Sequence, residues 1–323
     1  MMDNHPFPSP TTTHPGWPWE PAWQEIPAHM PDGAPWPKIS IVTPSYQQAD
    51  YLEATIRSVL LQGYPNLEYI IIDGGSSDGS VEIIQKYAPW LHYWVSEADK
   101  GQSHAINKGF AHSSGEIMAW INSDDFYAPG ALFLMATCFA ENNTLWATGL
   151  THRIDAQGNM LKLAKKRWEE THELWYVGSL YPQPGVFWRR KLWDLVGQLD
   201  ESLQYSFDYD FWLRIIQHQI FATWVNEHIA SFRVHQESKT ALDQLKFMHE
   251  REIVYRRYSL RKFPMSTRFT IWKRRRLRKM QILMDLSEEC ISPRRRLWLL
   301  FKATPWKFLQ KEFIQSLKSK KFL

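Results

Sequence analysis

The chain has 323 residues, 44% hydrophobic and 22% charged, with only 2 cysteines, so a sizeable core is affordable, a disulfide framework is excluded and a reducing compartment is expected. Composition and a negative mean hydropathy exclude disordered, collagen-like and polytopic membrane classes, and no apolar run reaches the roughly 18 residues of a membrane span. A net charge of +4 hides a split, because residues 251–323 hold 21 Lys and Arg against 5 Asp and Glu (net +16), leaving −12 for residues 1–250. Such asymmetry suits an acidic catalytic body with a tail that seeks an anionic surface.

The N-terminus, MMDNHPFPSPTTTHPGWPWEPAW, has neither the cationic start nor the apolar core of a secretory signal. Its prolines disfavour helix and strand, so residues 1–37 are expected as an extended lead-in, with Trp17, Trp19, Trp23 and Trp36 packing on the body. From Lys38, KISIVTPSY predicts a strand, and ADYLEATIRSVLLQ a helix with Leu52, Ile56, Val59 and Leu60 on one face. Strands follow at LEYIIIDGG, LHYWVSE and GEIMAWINSDD, separated by helices at Ser80–Tyr87 and Gln102–Phe110 and followed by PGALFLMATCFAENN. This alternation predicts right-handed βαβ units and a mainly parallel sheet, with any ligand beyond the carboxyl ends of the strands. Those ends carry Thr43–Tyr46, Asp73–Asp78, Glu97–Gly101 and Asn122–Asp125, a polar loading beyond ordinary turns. Farther on, a hairpin turning at Asp155–Gly158 is expected, then a strand and short helix in GVFWRRKLWDLVG. DYDFWLRIIQHQ reads as a helix, ATWVNEHIASFRVH as two short strands, and the chain from Ser238 as helices broken by prolines.

Asp124 and Asp125 directly follow a buried strand, where one or two carboxylates can hold a divalent cation together with phosphate oxygens. The alternative for such a short pattern is a helix cap. Asp73, Gly74, Gly75 and Ser76–Ser80 make a strand-to-helix turn open to an anionic or nucleotide ligand. The Gly-Lys-Ser/Thr ending of a P-loop and the dinucleotide G-x-G-x-x-G pattern are both absent.

The ordered runs SIVTPSYQQADYLEATIRSVLLQGYPNLEYIIIDGGSSDGS, SEADKGQSHAINKGF and GEIMAWINSDD, then QPGVFWRR, GQLDESL, DYDFWLR and FRVHQESKT, resemble a family 2 glycosyltransferase over about Lys38–Thr240. The resemblance implies an α/β fold of the GT-A type, a Rossmann-like sandwich with a mainly parallel central sheet, extended by a basic helical C-terminus. It divides the chain into residues 1–37, a glycosyltransferase domain at 38–240 (nucleotide-sugar half 38–127, acceptor half 128–240) and a basic tail at 241–323. It implies inverting transfer of a sugar from a nucleoside-diphosphate donor with a divalent metal, Mn²⁺ or Mg²⁺. Thr43, Pro44, Ser45 and Tyr46 would line the nucleoside pocket, Asp73 would bond the base, taken as uracil, and Asp78 would shape the rim. Lys100 and Gly101 would lie near the diphosphate, with Asn107 on the helix behind. The family's Asp-x-Asp falls on Asn122-Ser123-Asp124, which leaves Asp124 as the principal metal ligand with Asp125 in support. Asp208 matches the catalytic base, although Phe207 replaces the preceding Glu, and Asp210 supports it; the alternative is two acids complementing a helix dipole. His235 is implied as a metal ligand or phosphate donor, with Arg233 close by. Gln183 and Gly185 would wall the donor sugar from the acceptor. Trp188 and Trp212 are candidate sugar platforms, against the ordinary fate of core aromatics.

The tail interleaves cations with Trp, Leu and Phe, as in IWKRRRLRKM and SPRRRLWLLFKATPWKF, a mixture suited to an anionic membrane surface. Nucleic acid is the weaker partner, since no recognised nucleic-acid motif accompanies the charge. The expected protein is a cytoplasmic, peripheral membrane enzyme acting on a glycan or lipid-linked acceptor in surface polysaccharide or lipopolysaccharide assembly. The alternatives are an inactive nucleotide-sugar-binding relative, motivated by Asn122 and Phe207, and a nucleic-acid-binding protein.

Overall fold

A computed structural model describes residues 7–11, 14–21, 28–140, 143–164, 181–236, 238 and 244–258. Trp23, Lys239 and the amphipathic tail beyond residue 258 lie outside the described residues. The chain forms two compact units, residues 1–168 with 181–242, and residues 169–180 with 243–323. In the second unit the described element is the helix α7 (Gln244–Arg257).

The first unit follows the predicted alternation. Strands β1 (Ile39–Ser45), β2 (Leu67–Asp73), β3 (Tyr93–Ser96) and β4 (Ile117–Trp120) are linked through helices α1 (Ala49–Leu60), α2 (Ser80–Tyr87) and α3 (Gln102–Ala111). After β5 (Phe126–Tyr127) and α4 (Ala131–Ala140) come β6 (Trp146–Ile154), β7 (Met160–Lys162), β8 (Val186–Arg189), α5 (Arg190–Val196), α6 (Phe207–Gln217) and β9 (Thr223–Arg233). The sheet order is β3-β2-β1-β4-β8-β6-β9-β5, with β7 added to β6. β1 to β4, β6 and β9 run one way, while β8, β7 and β5 run against them. The sheet is therefore mainly parallel, as expected. β1 and β4 are buried throughout, as a strand covered on both faces requires.

One expectation changes and one is extended. The segment read as two short strands is the single 11-residue β9, whose register against β6 slips around Gly149 and Leu150. Gly149 is needed there, because an added Cβ would sit 1.9 Å from Ile229 Cγ1. Residues of the lead-in do pack on the body, and through more than tryptophan. The buried Arg57 of α1 donates to the carbonyls of Pro8, Pro18 and Trp19, while Glu53, one turn earlier, accepts the Thr11 N–H and the Lys86 and Tyr87 side chains. Trp36 is buried against Tyr64 and Phe133, and Trp17 donates its indole N–H to the Tyr127 carbonyl.

Much of the tryptophan has a structural use. Trp120 stacks on Trp212 at 5.6 Å, Trp146 stacks on Trp212 at 5.4 Å, and Trp188 meets Trp120 edge-on at 5.3 Å. All four are buried, so Trp188 and Trp212 are core and not sugar platforms, a correction to the sequence reading.

Candidate functional site

The pairing places Ser45 beside Asp73 and Asp73 beside Ser96, so the carboxyl ends of β1, β2 and β3 form one polar row. β4 joins them, since the Ile121 N–H reaches the Val42 carbonyl. Loops leaving this edge carry nearly every candidate residue.

Within Thr43–Tyr46 only Tyr46 projects, at 60% exposure. Thr43 is fully buried with its hydroxyl on Tyr69, and Pro44 is buried, so of these two only the backbone is placed to line a pocket. Ser45 is buried and its hydroxyl has no partner among the described residues. Asp73 is likewise below the surface: its carboxylate accepts the N–H of Gly75 and Ser76 and the hydroxyls of Ser76 and Ser96. In this arrangement Asp73 builds the glycine turn. Asp99, part of the Glu97–Gly101 strand end but given no role of its own, stands beside that turn: an added Cβ on Gly74 would lie 2.9 Å from its carboxylate and 3.2 Å from Tyr46. The signal was its place two residues before Gly101, whose N–H it accepts at 2.7 Å.

Asp78 ties two helix starts together by accepting the N–H of Ala49 and the N–H and hydroxyl of Ser80. Burial pushes its carboxyl up, but these donors outweigh that and hold it below the usual range. Lys100 is exposed, and Gly101, at φ 116°, lies against Gln204: an added Cβ would sit 2.5 Å from Gln204 Oε1. Asn107 bonds Leu199 in both directions and Glu201, fixing the 199–204 loop to α3.

The metal question centres on the loop after β4. Asn122 accepts from Gln102 at 2.7 Å and reaches Asp125, so its amide is engaged inside the protein. Ser123 is buried, with its carbonyl on Thr55. Asp125 is fully buried and accepts the Arg233 N–H at 2.8 Å; burial and the neighbouring Asp124 push its carboxyl well above the usual range. Asp124 is different. Its Oδ2 lies 3.1 Å from His235 Nε2, across 111 residues of sequence. His235 is buried beside Tyr51, and its Nδ1 has no partner among the described residues. One carboxylate and one imidazole fit a divalent cation that takes its other ligands from diphosphate and water. Among the described residues no group of three or more His, Cys, Asp or Glu could enclose a metal by itself. Arg233 is not a ligand-facing cation. Its side chain spans the Asp124 carbonyl and the Asp155 and Ala156 carbonyls of the β6–β7 turn, with its guanidinium over Tyr51.

On the other side, Gln183 donates to the Trp120 carbonyl at 2.7 Å, while its Oε1 is buried without a partner among the described residues. Gly185 backs on β6: an added Cβ would lie 2.7 Å from Thr151 Oγ1. α6 begins at the same edge, with Phe207 packed on Trp120 and Ser103 bonded to the Leu203 carbonyl. Asp208 is half-buried in its first turn, whereas Asp210 is buried and accepts Arg214 at 3.0 Å. Arg214 also binds the carbonyls of Val196, Gly197 and Gln198, so Asp210 supports the α5–α6 connection.

Residues 40–194 match the model of the family described as Glycosyl transferase family 2. Over that stretch, a little under half of its length, the chain is similar to that family. An uncharacterised glycosyltransferase of Rickettsia typhi is 28% identical over 227 residues, 65% of this chain and 69% of the relative. The putative teichuronic acid biosynthesis glycosyltransferase TuaG of Bacillus subtilis is 39% identical over 92 residues, 28% of this chain and 36% of TuaG. The fold matches S. aureus TarS with a TM-score of 0.60 at 17% identity, covering 87% of this chain and 49% of TarS, so the chain spans about half of that protein. It also matches the mannosyltransferase PcManGT of Pyrobaculum calidifontis, solved with GDP-Man and Mn²⁺, with a TM-score of 0.58 at 17% identity, covering 88% of this chain and 84% of PcManGT. The fold is thus the GT-A type that the sequence resemblance implied.

Proposed function

We propose that the chain transfers a sugar, with inversion, from a nucleoside-diphosphate sugar to a glycan or lipid-linked acceptor. The observation that carries this reading is the Asp124–His235 pair, 3.1 Å apart at the carboxyl edge of a family 2 sheet. Asp124 and His235 would hold a divalent cation, Mn²⁺ or Mg²⁺, which when bound neutralises charge on the leaving diphosphate. The glycine turn at Gly74–Gly75, with Tyr46 and Asp99, receives the nucleoside, and the Lys100–Gly101 loop lies at the diphosphate. Asp208 takes the proton of the acceptor hydroxyl as that oxygen bonds to the anomeric carbon, and the bond to the diphosphate breaks with its electron pair on the diphosphate. Attack from the face opposite the leaving group gives inversion.

A TarS 1–349 structure holds UDP-GlcNAc and PcManGT holds GDP-Man, and both support a nucleoside-diphosphate donor. The donor proposed is a UDP-sugar. The name of TuaG supports a place in surface polysaccharide assembly. No described helix is long and apolar enough to cross a membrane, and the basic tail would hold the enzyme peripherally on the anionic cytoplasmic face. The test is a screen of nucleotide sugars for release of nucleoside diphosphate with Mn²⁺ or Mg²⁺. Release from a UDP-sugar supports the reading. Release from GDP-sugars alone changes the base, and binding of donors without release from any of them contradicts transfer.

A further inference from the structure

The β6–β7 hairpin carries a surface that the transfer reaction does not use. All three residues of β7 are exposed, and Met160, Leu161 and Leu163 stand at 50%, 57% and 58% exposure. A strand that covers core on neither face gains nothing for the fold by being apolar. The charge there is equally unusual. Arg153 and Lys162 are cross-strand partners, so two exposed cations project from the same face. Like charges directly opposite destabilise a sheet unless an anion lies between them. Neither has an ion-pair partner among the described residues, and the nearby Asp155 carboxylate is engaged with Gln157 and Asn159 in the turn. The sequence continues with Lys165, Lys166, Arg167 and Trp168.

We infer that this hairpin is a docking surface for an anionic lipid bilayer, separate from the basic tail. The ribbon would enter edge-on, with phosphate headgroups between Arg153 and Lys162 on the face that also carries Met160, and Leu161 and Leu163 entering the headgroup boundary from the other face. A soluble polyanion would satisfy the cations but offer nothing to three exposed apolar side chains. The hairpin is held firmly enough to present this edge. The Ala164 N–H reaches His152 Nδ1 at 3.3 Å, and Arg233 grips the turn through Asp155 and Ala156 while also bonding the Asp124 carbonyl. The surface is thereby fixed to the loop that bears Asp124, which would bring a lipid-borne acceptor to the site if the proposed transfer holds; the docking itself does not depend on that reading.

The experiment uses the full chain with Cys138→Ser and Cys290→Ser, and Leu161→Cys carrying an environment-sensitive fluorophore. On vesicles of phosphatidylcholine with phosphatidylglycerol the label should shift to the blue and brighten, and on phosphatidylcholine alone it should not. Adding Arg153→Gln and Lys162→Gln should weaken vesicle binding about fivefold per cation removed, with the melting temperature in the absence of vesicles not lowered. If the protein floats with anionic vesicles while the label stays in water, the tail alone binds membrane and the inference fails. Absence of vesicle binding overturns it as well, as does an equal response to soluble polyphosphate.

Discussion

The two ends of the parallel sheet treat their polar groups in opposite ways. At the amino end, Glu68 accepts the Ser40 and Ser114 hydroxyls, the N–H of Ser114 and Gly115, and the Lys38 ammonium. Burial pushes this carboxyl up, yet those donors outweigh it and bring it down to about 2. At the carboxyl end, His235 Nδ1, Ser45 Oγ and Gln183 Oε1 are buried without partners among the described residues, and Asp124 meets one imidazole. Buried polar groups left unpaired cost stability, so these three atoms at the carboxyl end are candidates to meet a ligand. Asp73 and Asp78 belong in character to the saturated end despite their address.

The largest expected effect sharpens this contrast on α6. Asp208→Asn should lower transfer about 10²–10⁴-fold with donor binding kept, the range for a general base. Asp210→Asn should instead cost about 1–3 kcal/mol of stability through its bond to Arg214, with turnover retained while folded. A dead Asp210→Asn enzyme beside an active Asp208→Asn one would reverse the assignment. Next in size, Trp212→Ala should cost about 3–5 kcal/mol by opening a cavity in the Trp stack. An unchanged melting temperature with weakened acceptor binding would return Trp212 to the site.

The smallest effect tests the saturated end. Because the Glu68 pKa is lower in the folded chain than its ordinary 4.5, its contribution is complete above pH 4.5 and is lost as pH falls towards 2. Glu68→Gln should therefore remove on the order of 2 kcal/mol at neutral pH and flatten the acid limb of stability against pH. An acid limb identical to the wild type would show that Glu68 is not what the sheet loses in acid.

The βαβ order and the loading of strand ends were legible in sequence because period and turn chemistry are local. Asp124 was legible as an acid after a buried strand, but its partner was not, since a bond across 111 residues leaves no local trace. The resemblance to a family, and not periodicity, directed attention to His235. Asp73 could not be placed by pattern, because a strand-end acid followed by glycines looks the same whether it faces a ligand or braces its own turn. Trp212 could not be placed by pattern either: α6 is apolar enough to hide a tryptophan, and three partners from β4, β6 and β8 decide its burial. The grip of Arg57 on the lead-in was invisible for a related reason, as its acceptors are backbone carbonyls, which every sequence has.

The central claim is that the unsaturated end of the sheet holds metal and diphosphate through Asp124. Its most direct test is nucleoside-diphosphate release against Mn²⁺ concentration, in the wild type and in Asp124→Asn, with the fold of both checked by circular dichroism. The account predicts saturable stimulation in the wild type and, in a folded variant, a loss of about 10³-fold together with the metal response. A folded Asp124→Asn protein that keeps both its turnover and its dependence on Mn²⁺ would contradict it.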